Sequence, residues 1–177
     1  MESDRKLIEL ANEGDPDAFG RLYYRYRDWV YRLAWRFTSN NEDALDVVQE
    51  VFSYLLGKFP GFELTASMTT FLYPVVRHVS FRIRSKSSRF TSEDEILDDQ
   101  AAPKSEENEH YRSELTAVLA GLSGGQREVL LMRFVDDMSL QEIAAALDIP
   151  VGTVKSRLHN ALQLLRSDRR TRDYFLE

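Results

Sequence analysis

Histidines, cysteines and glycine pairs are the first residues to test for catalytic or metal chemistry, and their spacing does not support it. The three histidines, His78, His110 and His159, lie far apart, and the chain has no cysteine, so no zinc-binding spacing is present. Gly124-Gly125 precedes a helical pattern but lacks the lysine and hydroxyl that a phosphate-binding loop needs. We therefore expect no enzyme, no metal site and no cofactor.

A run of polar and basic side chains near the C-terminus has the residue types that bind DNA. Lysine, arginine, serine and asparagine donate hydrogen bonds to phosphate oxygens and to base edges in the major groove. Val154, Leu158 and Leu162 recur between them at helical spacing, which would place the polar side chains off the buried stripe. The predicted DNA-binding set is Thr153, Lys155, Ser156, Arg157, His159 and Asn160.

Two short helices joined by a tight turn are needed to present that polar face. Ser139 and Glu142 form a capping box at the start of the first helix, which ends at Asp148-Ile149-Pro150. Ala144 is small where the helices would cross, and the second helix starts near Val151. The pattern predicts a helix-turn-helix. The alternative is that two amphipathic helices form half of a small bundle with solvated polar residues.

The same half of the chain contains a further helix ahead of this pair. Its predicted span is Gln126 to Phe134, after the helix end signal at Ser123-Gly124-Gly125. Phe134 is expected on its apolar side, and Arg127 and Arg133 are expected to be available to solvent.

Helical periodicity also dominates the residues before 88. Asp15-Pro16 predicts the start of one helix, Asn41 the cap of a second, and Ser67 the start of a third that runs from Met68 to about Ser85. No segment alternates with the period of a β-strand. The sequence therefore predicts an all-α fold.

An acidic segment separates the two helical regions. Residues 91–114 carry 2 Lys+Arg against 9 Asp+Glu, and without them the net charge of −6 becomes about +1. Few large apolar groups are present there, so the segment cannot bury enough surface to offset its ordering entropy. We predict a flexible linker between two small domains. By contrast, Arg77 to Arg89 is a basic strip without an acidic residue.

Several motifs, in order, resemble the extracytoplasmic-function (group IV) sigma factors of bacterial RNA polymerase. Gln126–Leu130, Ser139–Ala144 and Pro150–Leu158 are similar to the promoter-reading C-terminal domain of that family. Ahead of the acidic segment, the similarity to its N-terminal domain lies in Ala18-Phe19, Leu22-Tyr23, Val30–Ala34, Asp43-Ala44, Asp46–Phe52 and Thr70–Tyr73.

This resemblance implies a domain division and a set of partners. Residues 1–88 would bind core RNA polymerase and recognise and melt the minus-ten promoter element. Residues 89–112 would be the acidic linker, and residues 113–177 would recognise the minus-thirty-five element through the helix-turn-helix. Linker residues such as Glu93 and Asp94 would suit a basic tunnel of the polymerase, unless the segment is an ordinary solvated tether.

The resemblance also assigns residues to each contact. Core binding would fall to Asp46, Gln49 and Glu50, with Phe52 packed beside them, although without the family these polar groups could be a solvated face. Aromatic and basic groups hold melted bases and their backbone. The minus-ten set would be Phe71, Tyr73, Arg77, His78, Phe81, Arg82 and Arg84.

The minus-ten helix departs from the common family pattern. Phe71 stands where tryptophan is usual, Pro74 interrupts the helix, His78 replaces a frequent asparagine, and Arg82 replaces a frequent aspartate. Phe71 and Phe81 could each be ordinary core residues instead.

Two other classes of function remain open at the level of sequence. One is a helix-turn-helix transcription regulator that binds duplex DNA without serving as a polymerase subunit, and the other is a protein that keeps the fold but acts through protein contacts alone. No apolar stretch approaches the ~20 residues that span a bilayer, and the lack of cysteine suits a reducing compartment. We expect a cytoplasmic protein without membrane insertion, with an anti-sigma factor as a possible partner.

Overall fold

The protein is described by a computed structural model that covers residues 2–90, 118–168 and 171, with side chains up to residue 86 in the first range. The chain divides into two compact units, Met1–Asp98 and Asp99–Glu177. All regular secondary structure in the described ranges is helical, which confirms the all-α prediction. The acidic residues of the predicted linker, including Glu93, Asp94, Glu95, Asp98 and Asp99, lie outside the described residues.

The first unit begins with a helix that the sequence analysis did not predict, α1 (Asp4–Asn12). Ser3 caps this helix by accepting a hydrogen bond from the Lys6 N–H, with an N···O distance of 3.3 Å. Since its apolar residues share one face, α1 packs against the next helix with that face. The side chains that it buries are Leu7, Ile8 and Ala11.

Helix α2 (Pro16–Thr38) begins at the residues that the sequence predicts. The Asp15 carboxylate accepts hydrogen bonds from the N–H groups of Asp17 and Ala18, and Pro16 takes the first helical position, where its missing N–H removes no helical hydrogen bond. The helix is the centre of this unit, because α1 and the two helices that follow all pack against it.

Helix α3 (Asn41–Leu56) begins one residue earlier than predicted. The cap is Asn40, whose side chain accepts a hydrogen bond from the Asp43 N–H at 3.0 Å. Asn40 has the extended backbone that a cap requires, with φ −137° and ψ 134°, whereas Asn41 is already helical. The Asn41 side chain instead accepts a hydrogen bond from the Tyr31 hydroxyl at 2.7 Å.

Helix α4 (Met68–Phe90) is longer than predicted. Ser67 starts it, as expected, by accepting a hydrogen bond from the Thr70 N–H at 3.2 Å. The helix continues through Pro74 and past the predicted end near Ser85. Because proline has no N–H, α4 lacks the hydrogen bond that residue 74 would otherwise donate one turn back. α4 packs against both α2 and α3.

The loop between α3 and α4 is fixed to the end of α1 by one side chain. The Asn12 amide oxygen accepts hydrogen bonds from the N–H groups of Gly61 at 2.7 Å and Phe62 at 3.0 Å, and its nitrogen donates to the Phe62 carbonyl at 3.0 Å. α1 therefore helps to hold the point at which α4 begins.

In the second unit, α5 (Gly124–Phe134) follows a short helical stretch at residues 118–120. Ser123 and Gln126 form a capping box, so Ser123 starts α5 rather than ending the previous helix. Arg127, predicted to be available to solvent, is partly buried. Its guanidinium donates to the carbonyls of Leu119 at 2.8 Å, Leu122 at 3.1 Å and Ala120 at 3.2 Å. The end of a helical stretch leaves such carbonyls without partners, and Arg127 supplies the donors.

The apolar side of α5 also differs from the prediction at its end. Phe134 is 63% exposed, whereas Val129, Leu130 and Met132 are buried. Arg133, predicted to face solvent, is partly buried and donates to the Met138 carbonyl at 3.0 Å. The turn after α5 thus folds back on the Arg133 side of the helix and leaves Phe134 outside.

Helices α6 (Leu140–Leu147) and α7 (Val151–Ser167) form the predicted helix-turn-helix. The capping box of Ser139 and Glu142 is present, and the Ile149 N–H bonds the Ala144 carbonyl at 3.0 Å across the turn. α7 packs on both α5 and α6. The core that supports it is formed by Val118, Leu122, Leu130, Ala161 and Leu165, with Leu119, Leu158 and Leu162 packed around them.

Candidate nucleic-acid and partner interfaces

An apolar groove runs along the outer side of α3. Leu45 and Leu56 are each 53% exposed, and with Gln49 and Phe52 they follow a spacing of four, three and four residues, which places them on one helical face. The groove has a volume of about 390 Å³. Its lining is formed by Phe19, Tyr23, Leu45, Val48, Gln49, Phe52, Ser53 and Leu56.

The predicted core-binding residues take different positions around this groove. Phe52 is buried and packs edge-to-face on Tyr23, with ring centroids 4.7 Å apart, so it forms part of the floor. Gln49 lines the groove, and Asp46 is exposed beside it. Glu50 faces α4 and forms an ion pair with Arg82. The structure thus brings Asp46, Gln49 and Phe52 together and turns Glu50 toward another predicted site.

The exposed side of α4 carries an aromatic ring between two guanidinium groups. Phe81 is 39% exposed, and its ring centroid lies 5.2 Å from Arg77 Cζ and 5.7 Å from Arg84 Cζ. Phe37 of α2 packs behind it at 5.6 Å, and Arg84 donates to the Phe37 carbonyl at 3.3 Å. His78 is exposed on the same helix. The arrangement brings a partly exposed aromatic ring and two guanidinium groups together on one side of α4.

Two aromatic residues of the predicted minus-ten set lie elsewhere. Tyr73 is only 1% exposed and packs edge-to-face near Phe37, with centroids 6.2 Å apart, so its ring has no face for a base. Phe71 is partly buried, 4.9 Å from the Phe62 ring and stacked at 6.4 Å on Tyr54. Tyr73 is therefore a core residue, and Phe71 belongs mainly to an aromatic cluster at the start of α4.

The predicted DNA-reading residues of α7 share one side of the helix. Lys155, Ser156, His159 and Asn160 are exposed, while Val154, on the opposite side, is fully buried. Thr153 and Arg157 are partly buried at the edges of this surface. The Ser156 hydroxyl donates to the Thr153 carbonyl at 3.0 Å. Pro150 precedes α7 and provides no side-chain cap to its first turn.

The sequence analysis missed the apolar character of the α3 surface. Leu45 and Leu56 were not predicted to be exposed, because both fit a generally apolar helix. Their spacing with Gln49 was the available signal, since it defines a face separate from the buried Ala44, Val47, Val51 and Leu55.

Charged groups elsewhere in the first unit serve the fold. Asp4 pairs with Arg25 and accepts a hydrogen bond from the Tyr26 hydroxyl, which ties α1 to α2. Burial, followed by the Asp4 hydrogen bond, raises the pKa of Tyr26 above its ordinary value. Among the residues with described positions, no group of three or more His, Asp or Glu side chains could hold a metal ion, and no helix has the length and hydropathy to cross a membrane.

Comparison with known proteins identifies both units. Residues 22–90 match the family described as Sigma-70 region 2, and residues 112–165 match Sigma-70, region 4. The chain is 30% identical over 182 residues to an RNA polymerase sigma-H factor of Pseudomonas aeruginosa, covering 93% of each chain. It is 28% identical over 180 residues to the ECF RNA polymerase sigma factor SigW of Bacillus subtilis, covering 94% of this chain and 96% of SigW.

Solved structures agree on the fold. The structure of CnrH in complex with the cytosolic domain of CnrY matches with a TM-score of 0.67 and 23% identity, over 92% of this chain and 94% of that one. The alternative of a helix-turn-helix regulator that does not serve as a polymerase subunit is excluded, because residues 22–90 match a sigma factor region. The chain belongs to the extracytoplasmic-function family of RNA polymerase sigma factors.

Proposed function

We propose that this sigma factor divides its work among α3, α4 and α7: α3 binds core RNA polymerase, α4 holds the melted minus-ten element, and α7 reads the duplex minus-thirty-five element. The chain directs promoter-specific transcription initiation, as its family does, and it is an initiation factor rather than an enzyme. The observation that carries the residue assignment is the presence, in one chain, of a cationic stacking face and a helix-turn-helix.

The contact with core polymerase is assigned to the groove of α3 and its rim. Two exposed leucines, Leu45 and Leu56, lie on the same face of α3 as Gln49 and border the groove. Such a partly apolar helical face suits another helix, whose side chains can pack into the groove. Asp46 at the rim adds a negative charge that favours a basic partner. Phe52 supports the floor from within.

The contact with the melted minus-ten element is assigned to the exposed side of α4. Unpaired bases stack on aromatic rings, and arginine contributes both cation–π attraction and phosphate contacts. Phe81 supplies the ring, and Arg77 and Arg84 flank it. His78 and Arg82 extend the surface, Phe71 contributes its exposed part, and Tyr73 is left out because it is buried.

The contact with duplex DNA is assigned to α7. Its exposed side chains can donate hydrogen bonds to guanine, and they can donate to or accept from the edges of other bases. The second helix of a helix-turn-helix lies in the major groove, with its N-terminal residues at the base edges. The first turn, which has no side-chain cap, can direct its N–H groups toward a phosphate.

The two helical regions of the chain are assigned to the same three contacts. Residues 1–88 serve core and minus-ten contacts, 89–112 form the acidic linker, and 113–177 serve the minus-thirty-five contact. The protein would act in the cytoplasm, where RNA polymerase is found. A solved structure with a similar fold contains the sigma factor RpoE in complex with the anti-sigma factor NepR from Bartonella quintana. By analogy, we propose that an anti-sigma factor binds the present chain and covers its α3 groove.

Run-off transcription with purified core polymerase on a genomic promoter library tests the proposal. Addition of the chain should produce transcripts that start downstream of one shared pair of sequence elements. Substitution of Phe81 by alanine should lower permanganate reactivity of the melted region without changing the selected upstream sequence. Tyr24→Ala, at another exposed aromatic residue, is the matched control. Transcription that is independent of the added chain would contradict the proposal.

A further inference from the structure

The guanidinium group of Arg157, on α7, lies against Gly125 in the first turn of α5. A β-carbon on Gly125 would lie 3.1 Å from Arg157 Cζ, 3.2 Å from Nη1 and 3.3 Å from Nε. A β-carbon on the neighbouring Gly124 would meet no atom within 4 Å. The two glycines are thus adjacent in the same helical turn, but only one of them is covered by the arginine.

The distances show that the arginine occupies the space of a missing side chain. Carbon and nitrogen atoms without a bond between them usually lie about 3.5–4.0 Å apart, so any side chain at residue 125 would push the guanidinium away. Within the part of the chain that the structure describes, Arg157 makes no hydrogen bond and no ion pair. Close approach to the backbone at Gly125 is the contact that the structure shows for the end of this side chain.

We propose that Gly125 is a positioning residue for Arg157: its lack of a side chain lets the guanidinium lie across the first turn of α5, where it is presented to the DNA backbone beside the α7 surface. The inference rests on the proposed function of α7. It goes beyond that function by assigning a role in promoter binding to a residue of α5 that does not itself contact DNA.

The chemistry of arginine explains why its position would matter. The guanidinium is a rigid planar fork that binds a phosphate through paired N–H groups, so the bond depends on the angle of approach as well as on charge. The long stem of arginine has considerable rotamer entropy. A support that limits the stem in the free protein reduces the entropy lost on binding, and it also sets which phosphate the fork can reach.

The two glycines allow a matched experiment. Gly125→Gln and Gly124→Gln change the same helical turn in the same way, and both should favour the helix because glycine is a poor helix former. Each variant, alone and with Arg157→Ala, is assembled with core polymerase. The holoenzymes are titrated at several salt concentrations with the duplex upstream element that the parent holoenzyme selects from a randomised pool. Thermal unfolding of the full chain checks folding, and Gly125→Ala provides a smaller displacement.

Gly125→Gln should lower the affinity about five-fold, the effect of one exposed charge contact, and should reduce the slope of log affinity against log salt by up to about 1. Gly124→Gln should leave both unchanged. In the Arg157→Ala background, Gly125→Gln should have no further effect, and a purely structural role of Gly125 would not produce this dependence.

Each of the following results would overturn the inference. Equal behaviour of the two glycine variants would show that the contact with Arg157 has no role, and so would a loss that persists in the Arg157→Ala background. An unchanged slope of log affinity against log salt in Gly125→Gln and Gly125→Ala would also show that the contact with Arg157 has no role in DNA binding. If the parent holoenzyme selects no upstream sequence at all, the proposed function of α7 is itself wrong, and the inference fails with it.

Discussion

Neighbouring side chains on the outer surface of α7 differ in how they are held. Lys155 and His159, four residues apart, are both exposed and share one stripe of the helix. Arg157 is partly buried, with its guanidinium against Gly125. The exposed stripe can reach base edges in the major groove, whereas a side chain at the edge of the surface lies nearer the backbone. We therefore expect sequence preference to depend on the stripe and general affinity to depend on Arg157.

Substitution of Lys155 by alanine should change which upstream sequence the holoenzyme prefers. Loss of a base-edge contact removes about 1–3 kcal/mol of discrimination at one base pair. Arg157→Ala should instead weaken binding to all sequences and lower the salt dependence. Competitive binding of holoenzyme to a randomised upstream element, at two salt concentrations, measures both effects.

Gln163, exposed on the same helix one turn beyond His159, is the control for that experiment, and Gln163→Ala should bind as the parent does. If Lys155→Ala and His159→Ala both leave the selected sequence and the affinity unchanged, α7 is not the reading helix.

Glu50 and Arg82 belong to two different proposed surfaces and yet bind each other. The pair joins α3 to α4, and its side chains remain 42% and 55% exposed. Exposed pairs contribute only about 0–1 kcal/mol, so a competing partner can break this one. Arg82→Gln should release Glu50 and raise the affinity for core polymerase by a factor of about 1.5–5.

Glu50→Gln should remove this gain, so that Arg82→Gln has no further effect in the double variant. Asp46→Asn should lower core affinity in the presence or absence of Arg82. A titration of labelled chain with core polymerase gives the four affinities of the cycle. A fall in core affinity on Arg82→Gln alone would mean that Arg82 itself contacts the core and that Glu50 is not held back by it.

At the scale of single elements, the turn of the helix-turn-helix depends on an uncommon backbone conformation. Asp148 ends α6 with φ 52° and ψ 50°, in the left-handed region, and donates its N–H to the Ala144 carbonyl. Residues other than glycine are disfavoured in this conformation by roughly 1 kcal/mol, although aspartate tolerates it better than most. The turn sets how α7 is placed on α6, so its strain affects the position of the proposed DNA-reading surface.

Asp148→Gly should therefore stabilise the second unit by about 0.5–1 kcal/mol, and Asp148→Ala should destabilise it by a similar amount. Urea unfolding followed by helical circular dichroism gives both values. The control is Val135→Gly, at the end of α5, where φ is −101° and glycine offers no relief. A lower stability of Asp148→Gly than of Asp148→Ala would contradict this expectation, because it would show that strain in the left-handed backbone at residue 148 does not limit stability.

Helix starts and the recognition helix were predictable because their signals are local. The capping residues Asp15, Ser67 and Ser139 are each followed by a helix, and the spacing of Val154 and Leu158 placed the polar face of α7 toward solvent. Helix α1 has the same kind of signals, a cap at Ser3 and clustered apolar residues, and the analysis did not use them.

Other features depend on tertiary packing and could not be predicted from periodicity. Several aromatic residues of α4 have similar local surroundings, and only the position of α2 decides that Tyr73 is buried and Phe81 exposed. The pairing of Glu50 with Arg82 joins residues that are distant in sequence. The cover of Arg157 over Gly125 likewise depends on how α7 packs on α5. Sequence therefore supplied the candidate residues, and the structure separated those that are exposed from those that are buried or paired.

At the scale of the whole molecule, the charge of the chain is distributed unevenly along the sequence. The net charge of −6 comes from the segment between the two helical units, while the units themselves are nearly balanced. A sigma factor must bind DNA as part of a much larger complex, so assembly with the polymerase limits every later step. The groove of α3 is the apolar surface that we assign to this assembly, and its contribution can be separated from that of charge.

Leu45→Asp and Leu56→Asp should each weaken assembly with core polymerase by about tenfold or more, because an apolar anchor at the centre of an interface commonly contributes over 1 kcal/mol, and a buried carboxylate adds a desolvation cost. Both leucines are 53% exposed, so neither change should disturb folding. Leu164→Asp, at a leucine of α7 with 47% exposure, is the matched control and should leave core affinity unchanged.

Asp46→Lys should weaken assembly as well, but its effect should diminish as salt rises, because exposed charges are screened. The loss caused by Leu45→Asp should persist at high salt, since apolar burial is not screened. Titration of core polymerase with each labelled variant at two salt concentrations separates the apolar contribution to core affinity from the contribution of charge. If Leu45→Asp and Leu164→Asp reduce the affinity equally, or if neither does, the groove is not the polymerase contact.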